Sequence, residues 1–488
     1  MKSRKIMKEE VSKIEKKEQG NDVFKAGIWY IISSIVVKTI SVITTPIFTR
    51  VMTQEEYGII SNLISWYSLL LPFCTLRLVS SIGRAKLDFK NQLDKYVGSM
   101  QLLALLVTGL VSILTICFLK PVAKFMELSP ILVILLILYL ISSPAIEFTQ
   151  TKYRYEYDYK KNIFIAWYTA IGTTLLSLFL VLCFDKNKVV ARSIGMILPY
   201  VILSGVYWIR GIKNKTTVYN IRYWKYGVAI SAPLIVHGIS GSILAQSDRI
   251  VITKACGTEY TAIYSLVYTY AYLLTVITGA VSEAWLPWFH DNLYIGNYEK
   301  IRVNAKKLVV LGCYIGLATV AIAPEMITFL GGKQYIDGLR CVVPLVLGAV
   351  CQYIFTFYVN IELHMKKTVY VSSGTVIAAI LNLVLNLFFI SRYGYLAAAY
   401  TTLVSYLAIM LIHYMITRYK LGMNLYHNSF MFSSLTITYV IAIGLGTLFE
   451  YNGLRYVLML IGFISFLYYF RGYWFNKMYG IFSKTKVK

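Results

Sequence analysis

The chain has 488 residues, of which 57 % are hydrophobic and only 15 % charged, with a mean hydropathy of +0.61. A typical soluble domain carries about 25 % charged residues, and no interior of this size hides so much apolar surface, so the chain is read as a polytopic membrane protein. The net charge of +25, from 48 basic and 23 acidic residues, would suggest nucleic acid in a soluble protein. Without a large polar domain it fits positively charged cytoplasmic loops better, and no nucleic-acid partner is expected.

Residues 1–24 form a Lys/Glu-rich arm, MKSRKIMKEEVSKIEKKEQGNDVF. It is too polar for a signal peptide, and no small-residue cleavage site follows, so it reads as a cytoplasmic extension. Fourteen apolar segments then follow, each of about 20 residues, the length a membrane helix needs. They run 27–48, 58–81, 97–119, 128–149, 163–184, 190–209, 226–248, 260–284, 307–330, 339–361, 369–391, 394–416, 429–450 and 453–475.

Lys38 lies near mid-depth of the first segment, on one helical stripe with Ser34, Ser41 and Thr45. A charge at the bilayer centre costs at least about 2.5 kcal/mol; it persists facing an aqueous cavity or paired with a carboxylate of a neighbouring helix. Arg77 and Arg84, seven residues apart, are expected on one face of the second segment, with snorkelling as the alternative for Arg77 and the positive-inside rule for Arg84. Glu147 and Glu283 fall near cytoplasmic ends and read as solvated or paired with loop lysines. The seventh segment carries His237, Gly241 and Asp248 on one stripe, and Pro233 with two glycines predicts a bent helix. His237 is either a satisfied interior group or a proton carrier, and Arg249 near the outer end can simply be solvated. Asn382 and Asn386, four apart in the eleventh segment, read as interhelical glue or as substrate contacts.

An even number of spans puts both termini on one side. With the N-terminus inside, cytoplasmic Lys and Arg outnumber external ones roughly three to one, which predicts cytoplasmic termini. The unit at 25–72 recurs at 225–275: Gly27 matches Gly227, Arg50 matches Arg249, and Glu56-Tyr57 matches Glu259-Tyr260. The expected organisation is therefore an N-terminal lobe, 25–209, an inter-lobe linker, 210–225, a C-terminal lobe, 226–417, and two further helices with a cytoplasmic tail, 418–488. Such parallel repeats are related by an axis along the membrane normal. No GxxxxGK[ST] loop occurs, so the chain does not hydrolyse ATP. A transporter rather than an enzyme is expected, with no metal site. The seven cysteines lack metal spacing; Cys256 and Cys341 could meet on the outer side.

The charge placed at depth is net cationic. An exporter of organic cations would want a carboxylate-lined pocket, whereas Arg and Lys suit an anionic group such as a diphosphate.

With these features the chain resembles the bacterial polysaccharide biosynthesis flippases (Wzx-type). The stretches KAGIWYIISSIVVKTISVITTPIFTRVMTQEEYG, SGSILAQSDRIVI, TAIYSLVY and NLVLNLFFISRYGYLAAAYTTLVSY carry the likeness in order over about 25–420. The matching positions are Thr49-Arg50, Glu56-Tyr57-Gly58, Arg84, Asp248-Arg249, Tyr264, Asn382, Asn386 and Gly394; Leu396-Ala397 replaces a usual second glycine. The resemblance implies the multidrug/oligosaccharidyl-lipid/polysaccharide exporter superfamily, with a MATE- and MurJ-like fold of two pseudo-symmetric six-helix lobes plus two helices. It implies an oligosaccharide on undecaprenyl diphosphate as substrate, moved by alternating access from the inner to the outer leaflet of the plasma membrane for O-antigen, capsule or exopolysaccharide. Lys38 and Arg77 would hold the diphosphate, Arg84 and Arg249 would stand at the inner and outer mouths, and Ser34, Ser41, Asn382 and Asn386 would face the glycan. Asp248 or His237 would couple a proton or sodium gradient. Expected partners are the lipid-linked oligosaccharide, membrane lipids, and a polysaccharide polymerase with its chain-length regulator. The competing readings are an organic-cation extruder of the same superfamily and a non-transporting scaffold of glycan assembly.

Overall fold

The computed structural model describes residues 42–89, 91–216 and 219–485, together with residues 27, 29–30, 32–34, 36–37 and 39–40, with side-chain surroundings to residue 471. Among these residues every regular element is helical. Thirteen helices are long and apolar enough to cross a membrane, and the described part of the first predicted segment contributes the shorter helix Val42–Val51. We number the helices in chain order: α1 Val42–Val51, α2 Gln54–Thr75, α3 Leu93–Cys117, α4 Pro130–Tyr155, α5 Tyr159–Cys183, α6 Lys188–Lys213, α7 Ile221–Cys256, α8 Thr258–Ile295, α9 Tyr298–Ala321, α10 Leu339–His364, α11 Thr368–Tyr393, α12 Leu396–Met415, α13 Asn428–Thr447 and α14 Asn452–Thr485. None of the seven cysteines forms a disulfide, Cys256 and Cys341 included.

Local chemistry sets the ends of these helices. Thr53 and Glu56 form a reciprocal capping box that starts α2: the Thr53 side chain accepts from the Glu56 N–H at 3.2 Å, and the Thr53 N–H donates to Glu56 Oε2 at 2.9 Å. The Asn220 side chain caps α7 by accepting from the Arg222 and Tyr223 amides. Gly257, at φ 102°, turns the chain between α7 and α8 in a backbone region closed to most side chains.

Packing divides the chain into two units, Met1–Ala262 and Ile263–Lys488. In the first, α7 lies along α2 and the short 3-10 turn Leu78–Ser81, while α6 packs on α4 and α5. Its core is aliphatic around Leu63, Leu132, Leu136 and Leu140, and aromatic around Tyr96, Phe148 and Tyr223. Near its N-terminal end, Gly58 of α2 lies directly on α8: a Cβ there would stand 1.8 Å from the Thr258 carbonyl oxygen. In the second unit α10 is the central helix, 72 % of its most apolar window being buried, and it packs against α12, α9 and α13. The corresponding window of α14 is only 6 % buried, so this helix is peripheral to the unit. The packing boundary follows α7's contacts with α2, whereas the predicted lobes follow the sequence repeat.

Two predicted spans are corrected: the ninth, expected over 307–330, ends at Ala321 before the separate short helix Ala323–Gly331, and the second is broken more sharply. The second segment was expected as a single helix over 58–81, but α2 stops at Thr75. Leu76 and Arg77 both take left-handed backbone conformations, φ 48° each, before the turn Leu78–Ser81 and the short helix Ile82–Asp88. Pro72, inside the last turn of α2, has no amide to continue the hydrogen-bond ladder, and two consecutive non-glycine residues at positive φ end it.

Candidate functional site

The break after α2 creates the site. A transmembrane helix that stops within its predicted span frees backbone groups and gives its terminal side chain a position no continuous helix allows. Arg77 is that side chain. It is half-buried, and its guanidinium stem runs across Gly238 of α7, where a Cβ would come within 2.9 Å of Arg77 Cδ and Nε. Glycine at 238 is what lets the arginine lie against the helix. Arg77 Nε is buried without a hydrogen-bond partner among the described residues.

Two titratable groups share this field. Glu147 on α4 and His237 on α7 each interact electrostatically with Arg77. Among the described residues no N···O contact within 4 Å joins Arg77 to Glu147, and the Glu147 carboxylate accepts no hydrogen bond there. His237 Nδ1 is likewise buried without a partner. Arg77 is thus held within electrostatic range of both a carboxylate and an imidazole without closing an ion pair. Burying unpaired charge costs several kcal/mol, so the arrangement suits a ligand that supplies the missing partners.

The side of the cluster lined by α4 is aromatic. Tyr67 of α2 and Tyr139 of α4 stack with ring centroids 3.8 Å apart and an 8° interplanar angle, and Tyr200 of α6 meets Tyr139 edge-on at 5.0 Å. Tyr67 and Tyr200 both interact electrostatically with Glu147, and Tyr67 makes polar contact with Ser143. The four helices α2, α4, α6 and α7 each contain an internal proline: Pro72, Pro144, Pro199 and Pro233. Proline is tolerated in membrane helices where neighbours re-satisfy the freed backbone groups.

The other predicted residues fall elsewhere. Lys38 and Ser41 lie outside the described residues, and Ser34 is exposed. Arg84 does not share a helical face with Arg77, because the helix breaks between them. It sits exposed on Ile82–Asp88 and pairs with Asp88 at 3.3 Å. Asp88 also accepts from the Tyr226 hydroxyl at 2.5 Å; that bond first, with the Arg84 guanidinium beside it, holds its carboxyl below the usual range despite some desolvation. Arg249 is buried and bonds to the Ala245 carbonyl and to Gln246 Oε1, and Asp248 is fully buried beside it in the chain. Asn386 Nδ2 donates to Asn382 Oδ1 at 3.0 Å, and Thr401 donates to Asn386 Oδ1, a polar seam joining α11 to α12. Glu147, read from the sequence as solvated or loop-paired, belongs instead to the Arg77 cluster. The tyrosines were missed altogether. Their signal was position, since tyrosine in membrane proteins concentrates at the interfaces and these three sit in mid-helix. No group of three or more His, Cys, Asp or Glu that would hold a metal ion occurs among the described residues.

A family model described as polysaccharide biosynthesis protein matches residues 23–293. No curated protein matches the chain. Among solved structures the fold is similar to that of the lipid II flippase MurJ in an inward closed conformation, with a TM-score of 0.71 at 11 % identity over 91 % of this chain and 99 % of that one. It is also similar to an inward-facing multidrug resistance MATE family transporter of the MOP superfamily, with a TM-score of 0.60 at 13 % identity over 80 % and 98 %. A third likeness is to a MOP superfamily transporter from Pyrococcus furiosus described by the reverse polarity of its binding pocket, with a TM-score of 0.52 at 14 % identity over 82 % and 95 %. At these identities the likeness is one of fold: an all-α polytopic membrane architecture of the MurJ and MATE kind. The matched family model covers more than half of the sequence, and the chain belongs to the polysaccharide biosynthesis protein family.

Proposed function

We propose that the protein is a flippase for an oligosaccharide carried on a polyprenyl diphosphate, undecaprenyl diphosphate in bacteria. It moves the carrier from the inner to the outer leaflet of the plasma membrane and so feeds synthesis of a surface polysaccharide such as O-antigen, capsule or exopolysaccharide. The observation that carries this reading is Arg77. Its guanidinium, half-buried at the break in α2 with Nε buried and unpartnered among the described residues, offers a fork of donors matched to phosphate oxygens. The family supports a glycan product, and the MurJ-like fold supports movement of a lipid carrier.

The physical task is to shield sugar hydroxyls from hydrocarbon, where each unpaired one costs several kcal/mol. In this reading the polyprenyl tail stays in lipid while the headgroup enters the Arg77 cluster, and two conformations expose the site in turn to each leaflet. His237, near Arg77 and with a free ring nitrogen, is our first choice for coupling a proton, with Asp248 the second; Lys38 is the further phosphate ligand.

The test is to deplete the protein and analyse polyprenyl-diphosphate glycans by mass spectrometry with their leaflet assigned. Accumulation of one complete oligosaccharide on the inner leaflet, rescued by the wild type and not by Arg77→Gln, is the expected result. Loss of a charge-assisted hydrogen bond of about 1.5–3 kcal/mol predicts a fall in headgroup affinity of roughly ten- to a hundredfold in that variant. Normal lipid-linked pools with intact surface glycan would overturn the reading, and measurements of organic-cation efflux would then decide for the extruder.

A further inference from the structure

Three tyrosines in mid-helix of a membrane protein require a reason, because their hydroxyls must find partners in a region without water. Tyr67, Tyr139 and Tyr200 come from three helices and meet as one half-buried aromatic block inside the first unit. Tyr67 and Tyr200 of the block lie within electrostatic range of Glu147, whose carboxylate accepts no hydrogen bond among the described residues and which interacts electrostatically with Arg77 without closing an ion pair. The site therefore has three chemical parts in sequence: a cationic fork, an open carboxylate acceptor and a tyrosine surface with polar rims.

One chemical class matches all three. A sugar ring has an apolar C–H face that packs on an aromatic face and a rim of hydroxyls that donate to carboxylates. When the ring is joined to a phosphate, its anion lies one linkage away from those hydroxyls. We propose that the Tyr67–Tyr139–Tyr200 block and Glu147 form a pyranose subsite for the sugar attached directly to the diphosphate, with that sugar bridging Glu147 and the phosphate held by Arg77. The subsite rests on the flippase reading and adds to it where glycan selectivity begins: the first sugar is read inside the first unit, by stacking and by one carboxylate. The stack tolerates any ring with a flat C–H face, whereas Glu147 requires hydroxyls free to donate.

The experiment uses the full chain in lipid nanodiscs. Affinities are measured for bare undecaprenyl diphosphate and for the same lipid bearing a single glucose, galactose or N-acetylglucosamine. The wild type is expected to bind at least one glycosylated probe about tenfold or more tighter than the bare diphosphate. Tyr67→Leu and Tyr139→Leu should abolish that increment while leaving the bare-lipid affinity within about twofold. Tyr139→Phe should keep most of it. Glu147→Gln, which preserves volume and does not depend on repacking the aromatic block, should reduce the increment, while removing a negative charge from the field of Arg77 should tighten every probe alike, the bare lipid included. Arg77→Gln should weaken every probe, the bare one included. An increment that survives both Tyr67→Leu and Glu147→Gln, or a wild type that prefers no glycosylated probe, overturns the subsite while the diphosphate reading stands. A wild type that fails to bind even bare undecaprenyl diphosphate overturns the flippase reading itself, and the subsite with it.

Discussion

The role proposed for Arg77 rests as much on a missing side chain as on its own charge. Gly238 leaves open the strip of α7 that the arginine crosses. Alanine there would intrude on Arg77 Cδ and Nε at 2.9 Å, and the flexible side chain would swing aside. In a helix interior alanine is favoured over glycine by about 1 kcal/mol. Gly238→Ala should therefore hold or raise the thermal midpoint while weakening binding of undecaprenyl diphosphate, a pair of opposite signs that a merely destabilising change does not give. Equal affinity in this variant would show that the contact with α7 is irrelevant to binding. Of the residues in this cluster, Arg77 and His237 are legible in the sequence as polar residues at apolar depth. Glu147 is visible but misplaced, because a carboxylate near a helix end is ordinarily solvated. The tyrosines carry only the weak signal of mid-helix position, and nothing local among the 41 in the chain shows which of them meet across three helices.

At the scale of elements, helix number and order follow from apolar segments of membrane length, and α3 to α14 start or end within a few residues of expectation for most segments. The failure at α2 has a clear cause: hydropathy sees 58–81 as uniformly apolar, whereas the ladder ends where Pro72 and the left-handed Leu76–Arg77 pair leave no continuation. The same limit hides how α14 is attached. Arg455, fully buried at its start, donates to the Ala321 carbonyl at 3.1 Å, to Asn452 Oδ1 at 2.7 Å and to the Glu325 carboxylate, and Tyr456 donates to Glu325 at 2.6 Å. Glu325 lies outside the spans, on the short helix Ala323–Gly331. Desolvation alone would raise its carboxyl, but the Tyr456 and Arg455 bonds outweigh it and hold it below the usual range. A carboxyl lowered in the fold contributes stability that is present above its ordinary range and is lost as pH falls through its folded value. The thermal midpoint in detergent should drop on acidification below about pH 4, and Glu325→Gln should remove that dependence. Arg455→Leu should cost about 1.5–3 kcal/mol at neutral pH. A midpoint equally acid-sensitive in wild type and Glu325→Gln would show that other groups set the acid limit.

For the whole molecule, charge bias is the information that sequence holds and a structure without a membrane does not. Both termini are predicted to lie in the cytoplasm, and single cysteines placed in a cysteine-free chain can check this. Lys186→Cys should react with an impermeant maleimide added outside intact cells, while Lys366→Cys should react only after permeabilisation; the reverse pattern would invert the topology. This orientation gives the break in α2 a consequence during synthesis. As a ribosome delivers the chain, α2 reaches the insertion machinery as an ordinary 22-residue apolar span with an arginine just beyond its end, where a positive charge aids retention in the cytoplasm and the full cost of a central charge does not arise. Its contact surface, Gly238, is about 160 residues further along, some 8–30 s of translation at ordinary rates. In the proposed flippase the nascent N-terminal helices would thus enter the bilayer without a finished anion pocket, and Arg77 would gain its bed against Gly238 only when α7 arrives.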